Sequence, residues 1–187
     1  MDAFSYLSVL LSIILGLAVT QILTGVRGLL LSRGRINLYW PTLVWASLLL
    51  LIFVQSWWAM FALREHTDWT FAQFAMVLLQ TIVLYLLAGL VLPDFGETAN
   101  VDLRAHYFSQ HGWFFGFTLV LGSVSLMKDL VVDGTFPDPL NVTFHLVLMS
   151  ATAVAAITRR EWYHKVVALF GVIAITLYIT LLFTRLR

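Results

Sequence analysis

Residues 4–31, FSYLSVLLSIILGLAVTQILTGVRGLLL, form one apolar run in which Arg27 is the only charged residue. A helix needs about 20 such residues to cross the hydrocarbon core of a bilayer. Five more runs of similar length follow, and the six predicted spans are residues 4–31, 39–63, 69–92, 112–132, 140–158 and 162–184. The sequence therefore predicts an all-α, polytopic membrane protein built as a bundle of six transmembrane helices.

The composition supports this fold class. Hydrophobic residues make up 60% of the chain and charged residues only 11%, and the mean hydropathy is +0.90. A soluble domain of this composition would lack the polar residues needed to cover its surface, so we expect the lipid bilayer to surround the chain. The runs are continuous rather than alternating, which favours helices over barrel strands. No connection is long enough to hold a soluble domain, and we expect one domain over residues 1–187.

Several function classes are excluded or disfavoured. The net charge is +1 and the basic residues are dispersed, so no concentrated basic face for nucleic acid is expected. Because the chain has no cysteine, thiolate metal sites, iron–sulfur clusters and disulfides are excluded. Asp102 and His106 lie one helical turn apart, but a solvated helix face explains this pair better than a metal does. We expect no metal and no cofactor, and an enzyme is the least supported class.

The basic residues predict an orientation, since cytoplasmic loops collect Lys and Arg. With the N-terminus outside, the basic residues on the cytoplasmic side are Arg27, Arg33, Arg35, Arg104, Arg159, Arg160 and Lys165. Those on the outer side are Arg64, Lys128, Arg185 and Arg187. We therefore expect an inner-membrane protein of bacterial type with both termini outside the cytoplasm. The chain has no Lys or Arg before Arg27, so we expect the first span to be retained.

The connection between the third and fourth spans is the longest one. It opens with Pro93, a residue that ends a helix, and continues to His111. Within it, Leu103 and Tyr107 lie four residues apart, and Asn100 precedes them at a capping distance. This spacing predicts a short amphipathic helix at the membrane interface, separate from the fourth span.

The first span carries a small residue at every fourth position along its whole length. The members of this small-residue stripe are Ser8, Ser12, Gly16, Thr20, Thr24 and Gly28. Small residues allow two helix backbones to approach closely in lipid. Two interpretations follow: the stripe packs inside the bundle, or it forms the contact with a second copy or with a membrane partner subunit.

Polar residues within the spans predict a second feature. By helix rise, Lys128, Asp129, His145, Gln55 and Gln73 lie in the outer half of the bilayer, with Gln21 and Gln80 nearer the midplane. Such residues are costly in lipid and usually face protein or a water-filled cavity. An outward-opening polar pocket is the hypothesis. In the alternative, Lys128 extends to the headgroups, each glutamine bonds to a neighbouring helix and His145 bonds to a backbone carbonyl.

Two function classes remain open from the sequence. The polar pocket favours a small-solute or ion transporter or channel. The small-residue stripe favours a non-catalytic accessory or assembly subunit of a larger membrane complex. In the first class, the polar residues of several spans should share one cavity; in the second, the stripe should face outwards. We expect Asn141 to cap the fifth helix, which gives it no role in either class.

Overall fold

The computed structural model describes residues 3–95 and 100–182, and residues 96–99 and the end of the predicted sixth span, 183 and 184, lie outside this part of the chain. Its α-helices are α1 (Ala3–Leu31), α2 (Trp40–Met60), α3 (Phe71–Val91), α4 (Leu103–Asp133), α5 (Pro139–Ile157) and α6 (Glu161–Leu182). Short 3-10 helices cover Arg33–Arg35 and Phe61–Glu65. Each predicted span corresponds to one α-helix, although α4 begins nine residues before the predicted fourth span, so the all-α prediction and the number of helices are confirmed.

All six helices are long and apolar enough to cross a membrane. Their lengths range from 19 residues in α5 to 31 residues in α4. Many large apolar side chains on the outer surface are exposed, including Val54 at 60% and Ile173 at 60%. An apolar exterior of this kind is compatible with a multi-pass membrane protein, whose surface contacts lipid rather than water.

Five of the helices form a closed ring. Helices α2, α3, α4, α5 and α6 contact one another in the order α2–α3–α4–α5–α6–α2, and α2 also makes a smaller contact with α4. Helix α1 lies outside this ring and packs mainly against α3. The core of the ring contains the fully buried side chains of Phe53, Phe115, Leu84 and Ala168. The ring, without α1, therefore encloses whatever interior space the molecule has.

The two ends of the bundle differ. At one end, β1 (Ile36–Asn37) pairs in parallel with β2 (Val101–Asp102), and we call this the strand end. Arg104 there donates two hydrogen bonds to the Glu161 carboxylate, at 3.1 and 2.8 Å. The opposite end, with the α2–α3 and α4–α5 connections, is called the turn end. The strands were not predicted, because two residues of extended chain have no recognisable pattern.

Local sequence sets the helix ends. The side chain of Asp102 accepts hydrogen bonds from the backbone N–H groups of Arg104 and Ala105 and so caps α4. Asp138 caps α5 in the same way, followed by Pro139 in the first turn. Helix α4 ends at Gly134, whose φ of 66° is the left-handed conformation that glycine adopts readily.

The predicted interfacial helix is not a separate element. Residues from Leu103 onwards form the first turns of α4, which continues without a break through Gly112. Asn100 does not cap it, since Asp102 occupies that position. The physical reason is that a single glycine weakens a helix without ending it, and no proline follows before residue 137. Leu103 and Tyr107 are instead buried in the core at the strand end.

The small-residue stripe does not form the packing face of α1. That face is Leu11, Leu15, Ala18 and Ile22, all of which are buried. Of the stripe, Ser12, Gly16, Thr20 and Thr24 are exposed, whereas Ser8 and Gly28 are half-buried. A Cβ added at Gly16 would meet nothing within 4 Å. In the single chain, the middle of the stripe therefore faces away from the ring.

Candidate functional site

Two adjoining cavities lie inside the ring. The first, of about 130 Å³, extends from Trp45 towards the turn end, and the second, of about 60 Å³, continues from it. The residues that line both are Gln55, Ser56, Gln80, Ser125 and Tyr178. We call the two together the ring cavity. All five ring helices contribute to it, and α1 does not.

A chain of polar contacts links three helices at the turn-end part of the cavity. Lys128 Nζ lies 3.5 Å from Asp129 Oδ1, and the two side chains are 20% and 22% exposed. Asn141 Nδ2 donates to Asp129 Oδ2 at 3.0 Å. Tyr178 Oη donates to Asn141 Oδ1 at 3.1 Å. Asn141 of α5 thus connects the charged pair of α4 with the tyrosine of α6.

His145 joins this group through the backbone of Asn141. Its Nδ1 lies 2.9 Å from the Asn141 carbonyl oxygen. Because a carbonyl only accepts, Nδ1 carries the proton, and in the neutral ring Nε2 is left with a lone pair. The imidazole packs edge-on against the Tyr178 ring, with centroids 5.6 Å apart. His145 lines the larger cavity.

Two glutamines supply hydrogen-bonding groups with no protein partner. The side chains of Gln55 and Gln80 line both parts of the ring cavity, and within the described residues neither makes a hydrogen bond to protein. An amide carries two donors and two acceptor lone pairs. These groups are therefore available to water or to a bound solute.

Gln73 and Gln21 lie elsewhere, so the structure brings together five of the seven predicted pocket residues. Gln73 caps α3 through reciprocal bonds with Thr70, and its Nε2 donates to the Val131 carbonyl at 3.4 Å. Gln73 lies at a depth similar to that of Gln55, but its side chain forms hydrogen bonds at the start of α3 and does not reach the cavity. Gln21 lies on α1, outside the ring, where it is exposed.

Aromatic side chains close the cavity towards the strand end. The Trp45 ring is 5.6 Å from that of Phe114 and 5.4 Å from that of Phe115, both edge-on. Beyond Trp45 lies a void of about 10 Å³, which Tyr107 and His111 also line. The buried Trp45 Nε1 has no hydrogen-bond partner among the described residues. No continuous space therefore joins the ring cavity to the strand end.

Sequence reasoning missed two residues of the site. The sequence predicts Asn141 as the cap of α5, but Asp138 takes that position and leaves the Asn141 side chain to bridge α4 and α6. Tyr178 lies within an apolar predicted span, and its neighbours give no sign of a polar site. Its hydroxyl lies about two helical turns from the end of the predicted span, and that depth was the available indication.

The charges and donors of the cavity indicate the ligands that it can hold. Lys128 and Asp129 balance each other, and the remaining polar lining is amide, hydroxyl and neutral imidazole. No group of three or more His, Asp or Glu side chains suited to a metal occurs within residues 3–95 and 100–182. Asn141 lies between His145 and Asp129 and bonds to both of them.

The arrangement is thus a cavity within a ring of apolar helices, with a larger part that is mainly apolar and a smaller, more polar part that contains the Lys128–Asp129 pair. No protein family model matches the chain, and comparison with curated proteins and with solved structures found no significant match.

Proposed function

We propose that the chain is a transporter or channel for a small polar solute or ion, and that the ring cavity is its binding site. The observation that carries this proposal is the pair of unbonded amides, Gln55 and Gln80, beside the charged pair Lys128–Asp129. Polar side chains within a membrane are costly, and those retained usually line a pathway or bond across helices. Among the described residues, the two glutamines make no hydrogen bond to another helix, which supports a role in binding a solute.

The size of the cavity limits the solute. An apolar cavity of about 150 Å³ holds a benzene molecule, which has six heavy atoms. The larger part of the ring cavity is about 130 Å³. Because Lys128 and Asp129 compensate each other, an isolated charge would find less stabilisation there than a neutral or zwitterionic solute would. The proposed substrate is therefore a hydrogen-bonding solute of about six heavy atoms or fewer.

Access in this proposal is from the turn end. The ring cavity is closed towards the strand end by Trp45 and its two phenylalanine neighbours, and Lys128 and Asp129 mark its other end. With the orientation predicted from the basic residues, the turn end faces the outside of a bacterial inner membrane. The described conformation is then the outward-facing one, and release inside requires the Trp45 side chain to move.

Single cysteines test the hydration of the cavity, since the natural chain has none. Ser125→Cys places a thiol in the ring cavity, and Ser47→Cys places one on the exposed, lipid-facing side of α2. Only a hydrated thiol reacts readily with a charged methanethiosulfonate. We expect the thiol of Ser125→Cys to be labelled, and the thiol of Ser47→Cys to be labelled at least ten times more slowly. Equal slow labelling of both would contradict a hydrated cavity.

Flux measurements test transport itself. Proteoliposomes would be challenged with gradients of glycerol, urea, glycine and formate, and their volume followed by stopped-flow light scattering. We expect faster entry than in empty liposomes for at least one solute, and loss of that increase when Ser125→Cys is labelled. Labelled Ser47→Cys is the matched control. If no solute enters faster than in empty liposomes, the transport proposal is wrong.

A second candidate rests on the exposed part of the small-residue stripe. Ser12, Gly16, Thr20 and Thr24 leave a shallow strip on α1 where another helix backbone could approach closely. In this alternative the chain is an accessory subunit, or it assembles with a second copy. Gly16→Leu or Thr20→Leu should then reduce crosslinking between chains in lipid, and Leu17→Ile should not. Unchanged crosslinking in all three variants would refute this candidate.

A further inference from the structure

A second polar space lies outside the ring, at the strand end of α1. It is a groove of about 610 Å³ between the last turns of α1 and the end of α3. We call it the α1 groove. Its polar lining consists of Gln21, Thr24, Arg27, Ser32, Arg35 and Asp94. No residue of the ring cavity contributes to it.

The polar side chains of the groove are presented to the surroundings of the bundle. Gln21, Thr24 and Arg27 are exposed on α1. Within the described part of the chain, the side chains of these three residues make no hydrogen bond or ion pair. A helix surface that faces lipid seldom carries such groups without a partner, because the hydrocarbon cannot satisfy them. Some molecule from the membrane is therefore expected to bond to them.

The order of the groups along α1 matches the order of groups in a phospholipid. Arg27 and Arg35 lie towards the strand end, where a phosphate would sit. Thr24 lies about 4.5 Å deeper by helix rise, at the depth of the glycerol esters, and Gln21 lies about 9 Å deeper, with a side chain long enough to reach them. Beyond them the exposed side chains of α1 include the large apolar residues Leu17 at 54% and Ile13 at 55%, which suit an acyl chain.

Asp94 limits the kinds of phospholipid headgroup that fit the groove. Its exposed carboxylate lies in the same groove as the two arginines, and among the described ion pairs none involves it. The Arg27 guanidinium and the Asp94 carboxylate together complement a phosphate beside an ammonium group that can donate hydrogen bonds. A quaternary choline cannot donate, and a glycerol headgroup brings no positive charge.

We infer that the α1 groove is a binding site for a phospholipid with a primary-amine headgroup, of the phosphatidylethanolamine type. Arg27 holds the phosphate, Asp94 receives the ammonium group, and Thr24 and Gln21 donate to the ester carbonyls. Basic recesses between transmembrane helices are known places for headgroups. The inference does not depend on the function proposed for the ring cavity.

Native mass spectrometry of the delipidated full chain tests this site, with POPE, POPG and POPC added in equal amounts. We expect at least fivefold more bound POPE than POPC or POPG. Arg27→Gln should reduce POPE occupancy about tenfold, and Arg27→Lys should restore most of it. Arg64→Gln, at the turn end, is the matched control and should leave occupancy unchanged.

Two further variants separate the headgroup contacts from simple anion binding. Asp94→Asn should abolish the preference for POPE over POPG without reducing POPG binding. Gln21→Leu should weaken the binding of POPE. Inorganic phosphate at millimolar concentration should not displace POPE from the natural chain. Equal binding of the three lipids to the natural chain, displacement by inorganic phosphate, or a POPE occupancy indifferent to Arg27→Gln would each overturn the proposal.

Discussion

At the scale of single residues, two glycines of α1 have opposite surroundings. A Cβ at Gly25 would lie 2.7 Å from Leu92 Cδ1 and 2.9 Å from Leu92 Cβ, so α1 and α3 would have to separate. At Gly16 the same atom would meet nothing within 4 Å. The close approach of α1 to α3 in the single chain therefore depends on Gly25, and the stripe member Gly28 is packed in the same way against Phe95 just beyond α3.

We predict that Gly25→Ala destabilises the fold. Overpacking costs about 1–3 kcal/mol, and the better helix propensity of alanine returns at most about 1 kcal/mol of this. The melting temperature in detergent should fall. Gly16→Ala is the control and should leave it unchanged or raise it. Equal melting temperatures for the two variants would show that α1 does not pack on α3 as described.

Asn141 is the second residue whose role can be isolated. Its side chain bonds to Asp129 and Tyr178, which both line the ring cavity. Asn141→Ala removes one hydrogen bond from each of these two side chains, and a typical hydrogen bond contributes about 0.5–1.5 kcal/mol. Asp129→Asn should then lower the free energy of unfolding by less in the Asn141→Ala background than in the natural chain.

The control for Asn141 is an exposed bond of similar chemistry. Asn37 Nδ2 donates to Asp102 Oδ2 at 3.2 Å on the surface of the strand end. Asn37→Ala should change the free energy of unfolding by less than about 0.5 kcal/mol. Strictly additive losses for Asn141→Ala and Asp129→Asn in denaturation experiments would mean that the polar chain of the cavity is not one network.

At the scale of elements, the start of α4 depends on one carboxylate. The backbone N–H of Ala105, and also the side chain of Asn37 and the N–H of Arg104, hold the pKa of Asp102 below its usual value. A lowered folded-state pKa means that the cap stabilises α4 at pH values above the unfolded pKa of about 3.9. The contribution is lost as the pH falls through the folded-state pKa.

This predicts a pH-dependent effect of Asp102→Ala. At pH 6 the variant should melt at a lower temperature than the natural chain, and the difference should shrink as the pH is lowered to about 2.5. Asp102→Asn keeps a capping oxygen and should melt close to the natural chain at pH 6. The effect is modest because the carboxylate is exposed. A difference that grows on acidification would refute this role of Asp102.

The elements also show what the sequence could and could not predict. The six spans were predictable because run length and hydropathy depend only on local composition. The start of α4 was not, since the apolar residues Leu103 and Tyr107 fit either an interfacial helix or a buried first turn. Only their burial against the core decides between the two. In the same way, depth along a helix placed Gln55 and Gln73 at a similar level but could not show that the side chain of Gln73 caps α3.

At the scale of the whole molecule, the position of α1 could not be read from its own pattern. The stripe of small residues is compatible with a buried or an exposed face, and the packing of Leu11, Leu15, Ala18 and Ile22 on α3 determines which one is exposed. The ring of the other five helices then has room for a cavity. A six-helix count alone predicts neither feature.

The orientation of the molecule remains a prediction, and it is testable without disturbing any contact. Basic residues gather towards the strand end, which includes Arg35, Arg104 and Arg160, so that end should face the cytoplasm. Gly34 and Thr67 are exposed at the strand and turn ends, and neither side-chain position makes a contact that a cysteine would break.

Because the chain has no cysteine, Gly34→Cys and Thr67→Cys each introduce a single thiol. In intact bacterial cells, a membrane-impermeant maleimide should label Thr67→Cys and leave Gly34→Cys unmodified, and permeabilised cells should show labelling of both. The physical reason is that the translocation of a loop is opposed by its Lys and Arg residues, of which the strand end has the larger share. Labelling of Gly34→Cys alone in intact cells would show that the orientation is the reverse of the predicted one. The ring cavity would then open towards the cytoplasm.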